Sequence, residues 1–237
     1  MRILLVDHLP PQPDNPAGGL AWASALAQRG HAVRLLCTAP DSGGTDSGGA
    51  VSGGTESGGA QDRALVRVIH CASAAEAEVR VAAAFAPSNL PSGPAGSAPA
   101  GFARLLDLQL VQFRDALRRI LDEEIDRFNP DLAQAQQIWL WGQLVIESGV
   151  PCVVRAGGME FSADADDPRL HALAAQGADN ASRILVADEA RAEQVARRYP
   201  DAADHLVRLA DRPSAAAVDQ LLALYEQVLA ERFGGAP

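Results

Sequence analysis

Two groups of residues have types and spacing suited to polar recognition. The first is the run Pro16, Ala17, Gly18 and Gly19, which follows a short apolar stretch and precedes a helical pattern. Backbone amides with no side chain above them, arriving where a helix begins, suit an anion such as phosphate. The plainer alternative is a loop-to-helix turn. The second group is Gln136, Gln137 and Trp139, just past the apolar stretch 131–135. Amide side chains can hydrogen-bond hydroxyl groups. Trp139 and Trp141 either stack on a ring or pack in a core. Cys37, Cys71 and Cys152 are isolated, with no Cys-x-x-Cys pair and no histidine at ligand spacing. No disulfide framework or metal site is expected, and Cys37 and Cys152, in apolar stretches, read as buried inert thiols.

The elements that must position these residues follow a β-loop-α-β pattern. Residues 2–7 read as a strand, 20–28 as an amphipathic helix stopped by Arg29 and Gly30, and 32–37 as a second strand. Next comes a five-residue Ser-Gly-Gly repeat within 41–62 that has nothing to bury and reads as a flexible insertion. Residues 64–70 alternate as a third strand, and 87–100, rich in Pro, Ser and Gly, read as a mobile loop. From 101 to 128 the apolar positions recur at three-and-four spacing, which predicts one long helix ended by Asn129 and Pro130. Strands at 131–135, 151–155, 183–187 and about 205–209 then alternate with helices at 139–148, near 168–177 and at 189–198. The carboxyl edge of such a sheet is where ligands of open α/β folds bind. Gln136, Gln137 and Trp139 fall at that edge. A last amphipathic helix spans 214–233, with Ser214 as its N-cap.

The fold class expected is α/β: a Rossmann-like, doubly wound, mostly parallel sheet. Residues 1–213 form the domain and 214–237 a helix packed on it. Two full Rossmann-like domains would need roughly 350 residues, so 237 residues are expected to hold one. A net charge of −10 with no Lys/Arg cluster argues against a nucleic-acid partner. The apolar runs fall far short of the ~20 residues that span a bilayer, and the first residues lack the form of a signal peptide. The expectation is a cytoplasmic protein without a transmembrane segment. Neither Gly-x-Gly-x-x-Gly after the first strand nor Gly-x4-Gly-Lys-Ser/Thr nor Gly-x-Ser-x-Gly occurs, so dinucleotide, P-loop and hydrolase signatures are missing.

Five segments in order resemble family 4 glycosyltransferases: the first strand with its Pro-rich loop ending in Gly18 and Gly19, and the helix closing with Gln28, Arg29, Gly30 and His31; Asn129, Pro130, Asp131 and Leu132; Gln136 to Gly142; Gly149 to Val154; and Gly158, Met159, Glu160 and Phe161. The resemblance implies the GT-B fold, of which this chain matches only the N-terminal, acceptor-side domain. It implies a retaining sugar transfer from a nucleotide sugar, as co-substrate rather than resident cofactor, to a sugar or small-molecule acceptor. The donor domain would come from a separate polypeptide. Gly18 and Gly19 match the glycines whose amides approach the donor phosphate. His8, Gln136, Gln137, Trp139, Gly157, Gly158 and Glu160 match the acceptor cleft, with no metal and no assignable catalytic residue. His8 reads equally as a surface histidine, and Glu160 as a solvated carboxylate or helix cap. Gly157 stands where the family often has histidine. A non-catalytic binding or scaffolding relative in a glycan or natural-product pathway is the alternative.

Overall fold

The computed structural model describes residues 1–7, 18–38, 106–157, 161 and 167–234, together with the backbone of 63–71 and 77–85. The segments 41–62 and 87–100, and the residues His8, Gly158 and Glu160, lie outside the described residues. The described elements are β1 (Arg2–Asp7), α1 (Gly19–Gln28), β2 (Ala32–Thr38), β3 (Arg63–Cys71), β4 (Ala77–Phe85), α2 (Asp107–Phe128), β5 (Leu132–Ala135), α3 (Trp141–Glu147), β6 (Cys152–Arg155), α4 (Pro168–Asn180), β7 (Ile184–Val186), α5 (Glu189–Arg198), β8 (Leu206–Arg208) and α6 (Ala215–Arg232).

All eight strands join one sheet in the order β4-β3-β2-β1-β5-β6-β7-β8. The six from β2 to β8 run parallel, flanked by helices, which is a Rossmann-like arrangement. The hairpin β3–β4 adds two antiparallel strands at one edge. Strand β4 was not anticipated: its run of three consecutive alanines, Ala82 to Ala84, carries little strand propensity.

Both faces of the parallel sheet are covered, which is why β1 reads as an unbroken apolar run rather than an alternation. Leu4 and Val6 face a core with Phe113, Leu117 and Leu121 of α2, Trp141 and Leu144 of α3 and Leu170 of α4. Ile3 and Leu5 face the opposite core, built with Trp22 and Leu26 of α1 and Leu221, Tyr225 and Val228 of α6. Helix α2 stops at Asn129, which takes a left-handed conformation (φ 48°) with its N–H on the Ile125 carbonyl at 2.7 Å, directly before Pro130. The buried carboxylate of Glu124 pairs with Arg34 and ties α2 to β2. The Arg34 guanidinium also lies 4.5 Å over the Phe128 ring.

Helix α6 begins at Ser214, whose hydroxyl accepts the Ala217 N–H at 3.2 Å. Its fully buried Tyr225 donates a 2.6 Å hydrogen bond to Gln134 Oε1 on β5, so the helix is pinned to the middle of the sheet by a polar contact as well as an apolar one. Among the described residues no helix is long and apolar enough to cross a membrane.

Candidate functional site

Strand order fixes where a crevice can open. From β1 the chain moves outward to β2 on one side and then returns to place β5 on the other. Helix α1 after β1 and helix α3 after β5 pack on opposite faces of the sheet, so the carboxyl edge between the two strands is the topological switch point. The register continues one step past the paired residues. Val6 lies beside Ala135 and Ala135 beside Val154, so Asp7, Gln136 and Arg155 occupy a row across β1, β5 and β6 at that edge. The Gln136 N–H donates to the Val6 carbonyl at 2.8 Å and holds the row in place. With strands about 4.8 Å apart, the row spans about 10 Å from acid to base.

Asp7 is 6% exposed, and its Oδ2 accepts the Gly19 N–H at 2.9 Å. A carboxylate at the first amide of a helix is favoured by the exposed N–H groups and the dipole there. The approach is close: a Cβ on Gly19 would sit 2.7 Å from Asp7 Oδ2 and 3.1 Å from Leu35 Cδ1. Gly18 has φ −73° and ψ 164°, open to any residue. The pair is therefore unequal, since Gly19 is required by contact and its amide is already engaged by the protein's own acid.

The turn after β5 is built differently. Three glycines from separate parts of the chain leave room for three successive backbone carbonyls. A Cβ on Gly157 would lie 2.5 Å from the Gln136 oxygen and one on Gly177 2.8 Å from the Ile138 oxygen, while one on Gly142 would overlap the Gln137 oxygen outright. The turn ends at Leu140, 1% exposed, at φ 54° and ψ −87°, a backbone state that such a residue keeps only when its surroundings enforce it. That is why α3 starts at Trp141 and not at 139. It also accounts for Gly157: a histidine there would drive its Cβ into the Gln136 carbonyl.

Gln136 and Gln137 are both buried on this turn, and among the described residues Gln136 Nε2 and Gln137 Oε1 have no hydrogen-bond partner. Trp139 and Trp141 lie in the core beside α2, α3 and α4, which is the packing alternative. Trp141 Nε1 is also unpartnered. Buried amide groups that the protein does not satisfy are uncommon and call for a water or a ligand group to complete them.

Arg155 closes the row. It is 4% exposed, and its Nη1 donates to Asp211 Oδ1 at 3.3 Å, on the loop after β8. Its guanidinium lies 4.9 Å over the Trp22 ring, and Trp22 Nε1 donates to the Asp211 carbonyl at 3.0 Å. Burial pushes the Arg155 guanidinium below its ordinary range, against the opposing pull of Asp211 and Tyr225. Sequence reasoning passed over both Asp7 and Arg155. The signal was present in each case: a single charged residue ending an otherwise apolar strand, Ile3 to Val6 then Asp7, and Cys152 to Val154 then Arg155.

Cys37 and Cys152 are buried, and burial pushes the Cys152 thiol up to about 11, so it stays a thiol at neutral pH. Among the described residues no cluster of three or more His, Cys, Asp or Glu is placed to hold a metal. No protein-family model matches the chain, and no curated protein matches it. Function has to be argued from these side chains.

Proposed function

We propose that this protein is a glycosyltransferase-like domain that binds a nucleotide sugar or a sugar acceptor at the β1/β5 switch point, with a separate polypeptide supplying the donor domain. The observation that carries the reading is the convergence of buried, incompletely satisfied polar groups on that edge: Gln136 Nε2 and Gln137 Oε1 beside Asp7 and Arg155. Sugars are recognised by such mixtures of amides and carboxylates, because each hydroxyl both donates and accepts. The ordered resemblance to the acceptor-side domain of family 4 glycosyltransferases supports the same assignment. In that reading the retained fold is one half of a GT-B pair, and the Gly18–Gly19 turn borders the cleft.

The steric reservation at Gly157 favours a second reading, a binding or scaffolding relative that no longer turns over. A family-type imidazole cannot be accommodated at that position without moving the Gln136 carbonyl. The test is calorimetric titration of the purified protein with a panel of nucleotide diphosphates and nucleotide sugars, with Gly18→Trp as the blocked control. Binding that is lost in the variant supports the sugar-transfer reading and leads to a direct transfer assay. Absence of binding abandons a stand-alone donor site, and a pull-down for a donor-domain polypeptide then separates the split enzyme from the scaffold.

A further inference from the structure

The guanidinium of Arg155 is held from one side only. Asp211 takes Nη1, and the Trp22 ring lies against the flat face, while Nε and Nη2 have no hydrogen-bond partner among the described residues. Those two nitrogens form the side-on edge of the guanidinium, whose parallel N–H groups match the two oxygens of a phosphoryl group or carboxylate. The ion pair with Asp211 is lopsided: the Arg155 side chain is 5% exposed, the Asp211 side chain 60%. A cation shut from water is therefore offset by one long contact to a carboxylate that stays hydrated. Buried charges are ordinarily paired and fully hydrogen-bonded, because leaving one uncompensated is costly.

Among the described residues, Asp211 and Tyr225 are the groups whose charge acts on the Arg155 guanidinium. Gln134, on the same face of the neighbouring strand, is engaged through Oε1 by Tyr225, and the Tyr225 hydroxyl spends its proton on that bond. Asp7, the acid of the row, faces Gly19 on the far side of β5. Trp22 lies in the first turn of α1, and helical side chains lean toward the N-terminus, so the ring that backs Arg155 reaches toward the Gly18–Gly19 turn.

We infer that the Nε–Nη2 edge of Arg155 is a receiving fork for an oxyanion, a phosphoryl or carboxylate group carried by the ligand of this edge. Asp211 and Trp22 are positioning residues that fix the plane of the fork. The ligand's acidic group lies at the β6 end of the row and its hydroxyls toward Gln136 and Asp7. The inference reaches past sugar transfer, since it assigns an acidic group to whatever ligand the edge takes.

The experiment is titration of the full chain with inorganic pyrophosphate, a nucleoside diphosphate and a sugar carboxylate (glucuronate), at ionic strength matched with sodium chloride, read by calorimetry and by the shift in Tm. Wild type is expected to bind at least one of them, pyrophosphate and glucuronate distinguishing phosphoryl from carboxylate sources. Arg155→Lys, which keeps the charge and loses the planar fork, is expected to bind about tenfold or more weakly. Its Tm shift is measured against its own unliganded Tm. Asp211→Asn keeps an Oδ1 that accepts the Nη1–H and so holds the plane of the fork, while it removes the competing negative charge, so it is expected to bind more tightly; it also serves as the test if the Arg155 variant fails to fold. No response of wild type to any of the three oxyanions overturns the inference, as does unchanged binding in Arg155→Lys or weaker binding in Asp211→Asn. Oxyanion binding lost in Arg155→Lys, with neither nucleotide-sugar binding nor a donor-domain polypeptide in the pull-down, would leave this inference standing and sink the sugar-transfer reading. Nucleotide-sugar binding indifferent to Arg155 would do the reverse.

Discussion

The start of α1 and the turn after β5 both depend on glycine, but for opposite purposes. At Gly19 the missing side chain lets a carboxylate reach a helix amide, and the neighbour that would be struck is the end of the Asp7 side chain. At Gly142, Gly157 and Gly177 the missing side chains let the backbone itself settle, and the neighbours are carbonyl oxygens of residues 136–138. A side chain can rotate away from an intruder, whereas three consecutive peptide units under a strained Leu140 cannot. The contact at Gly19 is adjustable and the turn after β5 is fixed. A crevice between them has one wall that can adapt to a ligand and one that presents Gln136 and Gln137 in a set orientation.

The comparison breaks most easily at its rigid side. Gly142→Ala is expected to destabilise the fold by about 2–4 kcal/mol, read as a lower urea midpoint, because its Cβ overlaps the Gln137 carbonyl. A change under about 0.5 kcal/mol, the range of ordinary surface substitutions, would mean that the turn can shift and that the contrast is false. Gly157→His, which restores the residue type of the resembling family, should cost stability in the same way and bring no gain in ligand binding. On the adjustable side, Gly19→Ala is expected to cost about 1–2 kcal/mol, since Asp7 has to give up its place at the helix amide. Asp7→Ala should cost about 1 kcal/mol, the usual price of a lost helix cap, and the double variant with Gly19→Ala should be clearly less than additive in the same denaturation series. Gly18→Ala is the smallest effect, within about 0.5 kcal/mol of wild type, because φ −73° and ψ 164° suit alanine as well as glycine. A large loss there would show that the Gly18 position is crowded in a way its backbone angles do not reveal.

Much of the scaffold was legible in the residues. Helix α5 was bounded at Glu189 and Arg198 in both readings, and α6 differed only in where Ser214 and Phe233 count as caps rather than helix. These elements have clean periodicity and side-chain caps. Strand β4 was missed because alanine-rich segments carry no marked period. The start of α3 was misplaced by two residues because Leu140 takes a positive φ directly before it, which no local pattern records. The site divides in the same way. Gln136 and Gln137 could be placed at a strand's end from the alternation of elements, and Asp7 and Arg155 could have been noticed as charges closing apolar runs. That the Nε–Nη2 edge of Arg155 is unpaired, or that Gly19 and not Gly18 is sterically required, depends on residues brought together from across the chain.

The bond from Tyr225 to Gln134 joins residues 91 positions apart, and the core it belongs to also holds Ile3, Leu5 and Trp22. During synthesis those early residues emerge first and their cover on α6 emerges after more than two hundred others. At ribosomal rates of about 5–20 residues per second, one face of the central strands waits for at least roughly ten seconds without its helix. Over that interval the nascent chain presents an apolar surface to its surroundings, which makes it a client for whatever holds unfinished chains apart. A ribosome stalled before residue 215 would release an aggregation-prone fragment rather than a smaller version of the same domain.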